Sequence, residues 1–138
     1  MSGVEKKTPE QREEWAKSVV AEEGFSFDAE GMQQAVSRCD QQILALENLQ
    51  NRARNELYME TLGIGEQYFP FAQAIVDKYK HKAIGGGQIA EHSSAVGLLQ
   101  GHIDFTEERK LDFEAIIKEV TATDEQNAAN INTIGNDL

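Results

Sequence analysis

Three histidines, His81, His92 and His102, are the residues of this sequence best suited to bind a metal ion. Neither the His-Glu-x-x-His pattern of zinc proteases nor the Glu-x-x-His pairs of di-iron bundles occurs. On a single helix, the ten-residue step from His92 to His102 would place both imidazoles on roughly the same side but about 15 Å apart, too far to share one ion. The spacing therefore favours surface or half-buried histidines, and we predict no metal site.

The other residues with chemical potential are equally isolated. Residues 85–88, GGGQ, lack the Lys-Ser/Thr of a phosphate-binding loop and the preceding strand of a dinucleotide loop, so a hinge before a helix is favoured. Cys39, the only cysteine, lies on an apolar stripe and is expected to be a small buried side chain, with a redox or dimer-forming thiol as the alternative. No Ser/His/Asp or Cys/His set can be assembled, and no carboxylate can be nominated as a general acid. We expect neither a cofactor nor enzymatic activity.

Composition limits the choice of partners. The chain has 138 residues, the length of one domain, and a formal net charge of −11. This charge disfavours nucleic acid, whose phosphates require clustered Lys and Arg, and also an anionic membrane surface. Residues 1–15 lack the apolar core of a signal peptide, and no apolar run approaches the ~20 residues of a membrane span. We therefore expect no membrane insertion, and a protein that is either cytoplasmic or secreted without a cleaved signal peptide.

Three regions follow one another in the sequence: an N-terminal helical extension over residues 1–24, a helical hairpin or bundle over residues 25–122, and a polar tail over residues 123–138. Thr8, Pro9 and Gln11 have the spacing of a capping box with proline at the first helical position. They predict a short helix from Pro9 to about Ala21, with Gly24 as its C-terminal stop signal.

Two long helices are predicted from apolar residues at alternating three- and four-residue steps, the spacing of helices that pack along one another. The first begins at the capping candidate Asp28 and has Gln50 at one stripe position. The second runs from about Gln88 to the low 120s or beyond, with Thr106 and Lys110 as polar exceptions, and its apolar stripe is expected to stop after Val120. The predicted seam consists of Val36, Cys39, Ile43, Leu46 and Leu57 in the first helix and of Val96, Leu99, Ile103, Phe113 and Ile117 in the second. This pattern predicts an all-α fold, an antiparallel long helical hairpin with additional short helices, resembling a bundle.

A turn rich in glycine and aromatic residues should join the two long helices. Gly63 and Gly65 can adopt backbone angles that other residues avoid. A short helix over residues 71–80 is expected to follow. Its inward residues would be Ala74, Ile75 and Tyr79. Since a hairpin buries only one seam, residues 71–80 are expected to pack either on their own chain or on another chain.

The C-terminal sequence VTATDEQNAAN, residues 120–130, resembles the end of small actinobacterial proteins of type VII (ESX) secretion, which are the WXG-type, PE and EspC-like helical hairpins. The second helix of those proteins commonly ends in an aromatic residue, three further residues, an acid and an Asn/Ala-rich stretch. Asp124 matches the acid, Asn127 begins the Asn/Ala stretch, and Val120 replaces the aromatic residue. Residues 25–43 resemble the start of the first helix, whereas LGIG at residues 62–65 supplies glycines but no Trp-x-Gly.

The resemblance implies a non-enzymatic protein of a type VII system that is exported as a folded helical pair and acts by binding other proteins. Val120, Asp124 and Asn127 would form its secretion signal, recognised by a secretion ATPase or a chaperone. Its structural partner would be a second copy in a homodimer or a paired small helical protein. The alternative is an intracellular adaptor or regulator that pairs through its apolar seam. An enzyme of the helical-bundle type would need a buried ionisable cluster.

Overall fold

The computed structural model describes residues 4–137, and helices account for the regular secondary structure of that range, which confirms the predicted all-α class. Its four α-helices are α1, Pro9–Val20; α2, Ala29–Arg52; α3, Pro70–Ile84; and α4, Ala95–Asn136. A π-helical turn, Ala53–Leu57, continues α2, and a 3-10 turn, Glu91–Ser93, precedes α4. Within the described range, contacts divide the chain into unit 1, residues 4–5 and 41–107, and unit 2, residues 6–40 and 108–137. These units cut across the three sequential regions expected from the sequence.

The predicted capping box starts α1 in unit 2. The backbone N–H of Gln11 donates to Oγ1 of Thr8 at 3.1 Å, and the backbone N–H of Thr8 donates to Oε1 of Gln11 at 2.9 Å. These bonds satisfy amide groups that have no partner inside the first turn of a helix. The helix ends at Val20, and Gly24 follows in the next turn with a φ of 83°.

An ion-pair cluster joins α1 to α4 within unit 2. The guanidinium of Arg12 donates to Glu108 at 2.5 Å and to Asp112 at 3.2 Å. Lys7 lies 3.0 Å from Asp112, and its ammonium also lies 4.4 Å from the centre of the Trp15 ring. The Arg12 and Glu108 side chains are only 11% and 14% exposed, so solvent screens their attraction much less than it screens a surface pair.

Polar side chains connect α2 and α4 in each unit. In unit 1, the buried amide of Gln50 donates to the backbone oxygen of Val96 at 3.1 Å and to Oε1 of Gln100 at 2.9 Å. In unit 2, Nζ of Lys110 lies 2.6 Å from Oδ1 of Asp40. Each unit therefore contains a direct polar link between its part of α2 and its part of α4.

The start of α4 lies at Ala95, so the sequence-based start near Gln88 is wrong. Ser94 caps the helix by accepting from the backbone N–H of Gly97 at 3.1 Å, and its hydroxyl donates to the backbone oxygen of Glu91 at 2.6 Å. A Cβ at Gly97 would lie 1.8 Å from that Glu91 oxygen. The 3-10 turn therefore folds against the first turn of α4, and only glycine at position 97 leaves room for it.

The packed face of α3 also differs from the prediction. The buried residues are Ala72, Val76 and Ala83, whereas Ala74 is exposed and Ile75 and Tyr79 are 42% and 56% exposed. Small side chains let the α3 backbone approach its neighbours closely, and this contact leaves the larger side chains outside. The prediction that Ala74, Ile75 and Tyr79 face inward is therefore wrong, because the helix is rotated about its axis relative to the predicted orientation.

Removing Arg12 should destabilise the protein more than removing an exposed arginine. Arg12→Ala leaves Glu108 and Asp112 partly buried without their shared cation, and we expect the free energy of unfolding to fall by about 2 kcal/mol. Arg52→Ala is the matched control, because its pair with Glu56 lies at the surface and should contribute little. Urea unfolding followed by circular dichroism measures both variants. Equal midpoints for the two variants would contradict the role of the Arg12 cluster.

Candidate functional site

Most residues of the predicted seam are withdrawn from solvent. Cys39, Val96 and Ile103 are buried. The half-buried members are Val36, Ile43, Leu46, Leu99, Phe113 and Ile117. Leu57 departs from the prediction with 53% exposure, since it lies in the π-helical turn. A π-helix advances by more residues per turn than an α-helix, so α-helical spacing assigns Leu57 to the wrong side.

Two of the three histidines line a common cavity in unit 1. The sequence-based distance between His92 and His102 assumed one helix, but His92 lies in the 3-10 turn before α4. The cavity has a volume of about 660 Å³. Its lining residues are Val4, Glu91, His92, Gly97, Leu98, Gln100, Gly101, His102, Asp104 and Phe105. His92 therefore reaches this cavity from the 3-10 turn and His102 reaches it from α4.

The cavity combines an apolar floor with ionisable groups. Leu98 and Phe105 are exposed large apolar side chains, and the space next to Gly101 is open. Imidazole and carboxylate groups surround this floor, so the cavity can contact an apolar group and accept hydrogen bonds from a polar one. Within residues 4–137, no group of three His, Cys, Asp or Glu side chains is arranged to hold a metal ion.

A single carboxylate organises the turn that contains Gly63 and Gly65. Both glycines have positive φ angles, 68° and 88°. Glu66 accepts hydrogen bonds from the backbone N–H groups of Leu62 at 2.8 Å, Gly63 at 3.1 Å and Ile64 at 2.9 Å, and from the Thr61 hydroxyl. These donors, the Thr61 hydroxyl foremost, lower the pKa of Glu66 from 4.5 to about 2. Sequence reasoning identified the glycines but missed Glu66, whose signal is an acid immediately after a run of turn residues.

Apolar side chains are concentrated on the surface between Leu57 and Tyr79. Eight large ones are exposed: Leu57, Met59, Ile64, Tyr68, Phe69, Phe71, Ile75 and Tyr79. On α3, the stepping of Phe71, Ile75 and Tyr79 follows one side of the helix, and Lys78 and Lys82 lie on that same side. We call these five residues the aromatic-basic face. Several large exposed apolar side chains on one side of a helix are typical of a binding site rather than of a solvated surface.

The residues of the predicted secretion signal lie on one side of the last part of α4. Val120 is half-buried, and Asp124 and Asn127 are exposed. The same three- and four-residue steps lead on to Ile131 and Ile134, which are 68% and 62% exposed. We call these five residues the C-terminal stripe. The sequence-based expectation that the apolar stripe stops at Val120 is wrong, because Asp124 and Asn127 interrupt the stripe and two isoleucines resume it.

Lowering the pH tests the Glu66 contacts. Because the folded turn holds the pKa of Glu66 at about 2, below its ordinary value of 4.5, the carboxylate stabilises the turn fully above pH 4.5 and loses this effect as the pH falls toward 2. In NMR spectra, we expect the amide proton chemical shifts of Leu62, Gly63 and Ile64 to change together as the Glu66 carboxylate is protonated, with a midpoint at a pH of about 2.

Two substitutions control this titration. Glu66→Gln should abolish the shared transition of the three amides, because no carboxylate then titrates beside them. Glu47→Gln, which removes an exposed carboxylate from α2, should preserve it. A midpoint near the ordinary glutamate pKa would show that the three N–H groups do not bind the carboxylate.

No helix within residues 4–137 has both the length and the apolar character that crossing a membrane requires. Comparisons of the chain with models of protein families, with curated proteins and with solved structures return no match.

Proposed function

We propose that the chain is a non-enzymatic protein of a type VII (ESX) secretion system, exported in folded form, which acts by binding other proteins. The observation that carries this proposal is the end of α4. The helix continues to Asn136, and every side chain from Thr121 to Asp137 is exposed. The chain therefore maintains about four turns of helix that pack on nothing within the described residues.

The physical cost of such an extension supports a binding role. A helix of this length is marginal in water by itself, and this one contains several Asn and Thr residues with low helix propensity. Continuity with the packed part of α4 removes the cost of nucleation, because the preceding turns are already formed. A partner would then find a preformed helical surface and would spend little of its binding energy on ordering it.

The C-terminal stripe has the chemistry that a recognition groove can distinguish. Val120 and Asp124 are one turn apart on the same side of a continuous helix, so one groove can contact both. An apolar pocket for Val120 and a lysine or arginine for Asp124 would provide complementary contacts. The resemblance of residues 120–130 to type VII export signals suggests a secretion ATPase or a chaperone as the protein that supplies this groove.

The alternative function, an intracellular adaptor that pairs through the seam, has weaker support. The seam residues Cys39, Val96 and Ile103 are buried within the chain itself. An adaptor would have to expose these side chains to water. Each Å² of apolar area exposed in this way would cost about 25 cal/mol of folding free energy. The C-terminal stripe requires no such opening, and for this reason we prefer the secretion role.

Export should depend on the C-terminal stripe and not on charge alone. In an actinobacterial host with an active type VII system, we expect deletion of residues 121–138 to abolish the protein in the culture filtrate. Asp124→Ala should lower its amount about tenfold, equivalent to ~1.4 kcal/mol of lost recognition. Glu125→Ala is the matched control, because this neighbouring acid lies about 100° further around the helix.

Immunoblots of filtrate and cell lysate measure the outcome, and circular dichroism verifies that each variant keeps its helices. A host without the secretion ATPase gives the background level. Unchanged filtrate levels after the deletion would disprove the export role. Equal losses for Asp124→Ala and Glu125→Ala would show that acidity matters but the stripe does not.

A further inference from the structure

The aromatic-basic face of α3 has an apolar end and a basic end. Phe71 and Ile75 form the apolar end, and the Phe71 side chain is 67% exposed. Lys78 and Lys82 form the basic end, one turn apart and exposed. Within the part of the chain that the structure describes, neither ammonium group takes part in an ion pair, whereas the neighbouring Lys80 binds Glu60 at 3.0 Å. The face therefore offers both apolar area and two free positive charges in a protein of net charge −11.

The C-terminal stripe has the opposite arrangement. Its acidic end is Asp124, with Glu125 beside it, and its apolar end consists of Ile131 and Ile134, both exposed. Residues 121–138 contain no Lys or Arg. The two surfaces are complementary: each has an apolar end, and the charged end of one is positive while that of the other is negative. Complementary charges of this kind make binding selective.

One antiparallel alignment matches both properties at once. Along α3, the centres of the apolar and basic ends are about 10 Å apart at 1.5 Å per residue. Along the C-terminal stripe, the centres of the apolar and acidic ends are about 13 Å apart on the same scale. When the two helices run in opposite directions, the apolar ends meet and the lysines meet the acids. The difference of about 3 Å is within the reach of flexible lysine side chains. A parallel alignment would instead place the lysines beside the isoleucines.

We propose that the aromatic-basic face of one copy binds the C-terminal stripe of a second copy through this antiparallel helix contact. Most residues of both surfaces are exposed, so each surface is available to a second copy. The contact joins two different surfaces, so a bound pair still presents one free surface of each kind, the stripe of one copy and the face of the other. Such head-to-tail contacts add further copies until a ring closes or an open chain grows.

The contact is small, and this predicts concentration-dependent association. Two helices of four turns each bury an area at the lower end of the range found in protein–protein interfaces. Sedimentation velocity of the purified full chain should therefore show monomers when dilute and a rising average mass at higher concentration. Added salt should weaken the association because the exposed charges are screened.

A mixing experiment tests the two-surface arrangement. The first variant, Lys78→Glu with Lys82→Glu, loses the basic end, and the second, Ile131→Asp with Ile134→Asp, loses the apolar end of the stripe. All four positions are exposed, so both variants should keep the helical circular dichroism of the native chain. Each variant alone should remain monomeric. An equimolar mixture should form a one-to-one dimer that grows no further, because only one intact pair of surfaces remains.

Two further variants exclude a general effect of charge. Arg38→Glu with Lys118→Glu produces the same change in net charge at exposed positions elsewhere and should associate as the native chain does. A second test exchanges the charges of the two surfaces. The Asp124→Lys and Glu125→Lys double variant makes the acidic end of the stripe basic. Mixed with the Lys78→Glu and Lys82→Glu variant, it should restore association, because opposite charges again face each other.

Several outcomes would overturn the proposal. These are a native chain that remains monomeric at high concentration, a lysine variant that self-associates normally, or a mixture that stays monomeric. Binding to anionic vesicles that is lost in the lysine variant, without self-association, would assign the aromatic-basic face to a membrane surface instead. The measurements use purified protein and involve no secretion, so their failure would leave the proposed export role untouched.

Discussion

The length of α4 relative to the elements that can cover it is the constraint on which the structure depends. A helix rises 1.5 Å per residue, so the 42 residues of α4 extend much further than the 24 residues of α2. The withdrawn part of the α4 stripe runs from Val96 to Val120, which is close to the length of α2. Ile131 and Ile134 lie beyond that length, and both are exposed within the described residues. The apolar stripe of α4 therefore continues past the part of the helix that is withdrawn from solvent.

The withdrawn part of the stripe tolerates polar residues because each of them finds a partner. Gln50 bonds to Val96 and Gln100, and the buried hydroxyl of Thr106 donates to the backbone oxygen of His102 at 2.9 Å. Lys110 extends to Asp40. Among the described residues, no buried side-chain nitrogen or oxygen lacks a hydrogen-bond partner. Satisfied polar groups in a seam also oppose sliding of one helix along the other, because a shifted register would bury them without partners.

The distribution of large and small apolar residues links the packing to the proposed functions. Ala16, Ala53, Ala72 and Ala83 are buried, while aromatic side chains of α3 and of the turn before it are exposed. Globular proteins usually bury large apolar residues, since these gain most from leaving water. Because α3 buries Ala72, Val76 and Ala83 and leaves Phe71 and Tyr79 outside, it retains apolar area for a partner. The two proposed roles of the C-terminal stripe, recognition during export and contact with a second copy, both use area of this kind.

Local hydrogen bonds and helical spacing were determined by the sequence alone. The capping residues of α1, the Asp28 cap of α2 and the positive φ angles of Gly63 and Gly65 follow from residues a few positions apart, whose geometry is the same in any fold. The tertiary structure decided which of two neighbouring apolar sides of α3 faces inward, because both are apolar and only close packing distinguishes them. It also decided the start of α4, where Gly97 meets the Glu91 oxygen, and the meeting of His92 and His102 at one cavity. These features depend on segments that approach each other only after folding, so spacing along the chain could not reveal them.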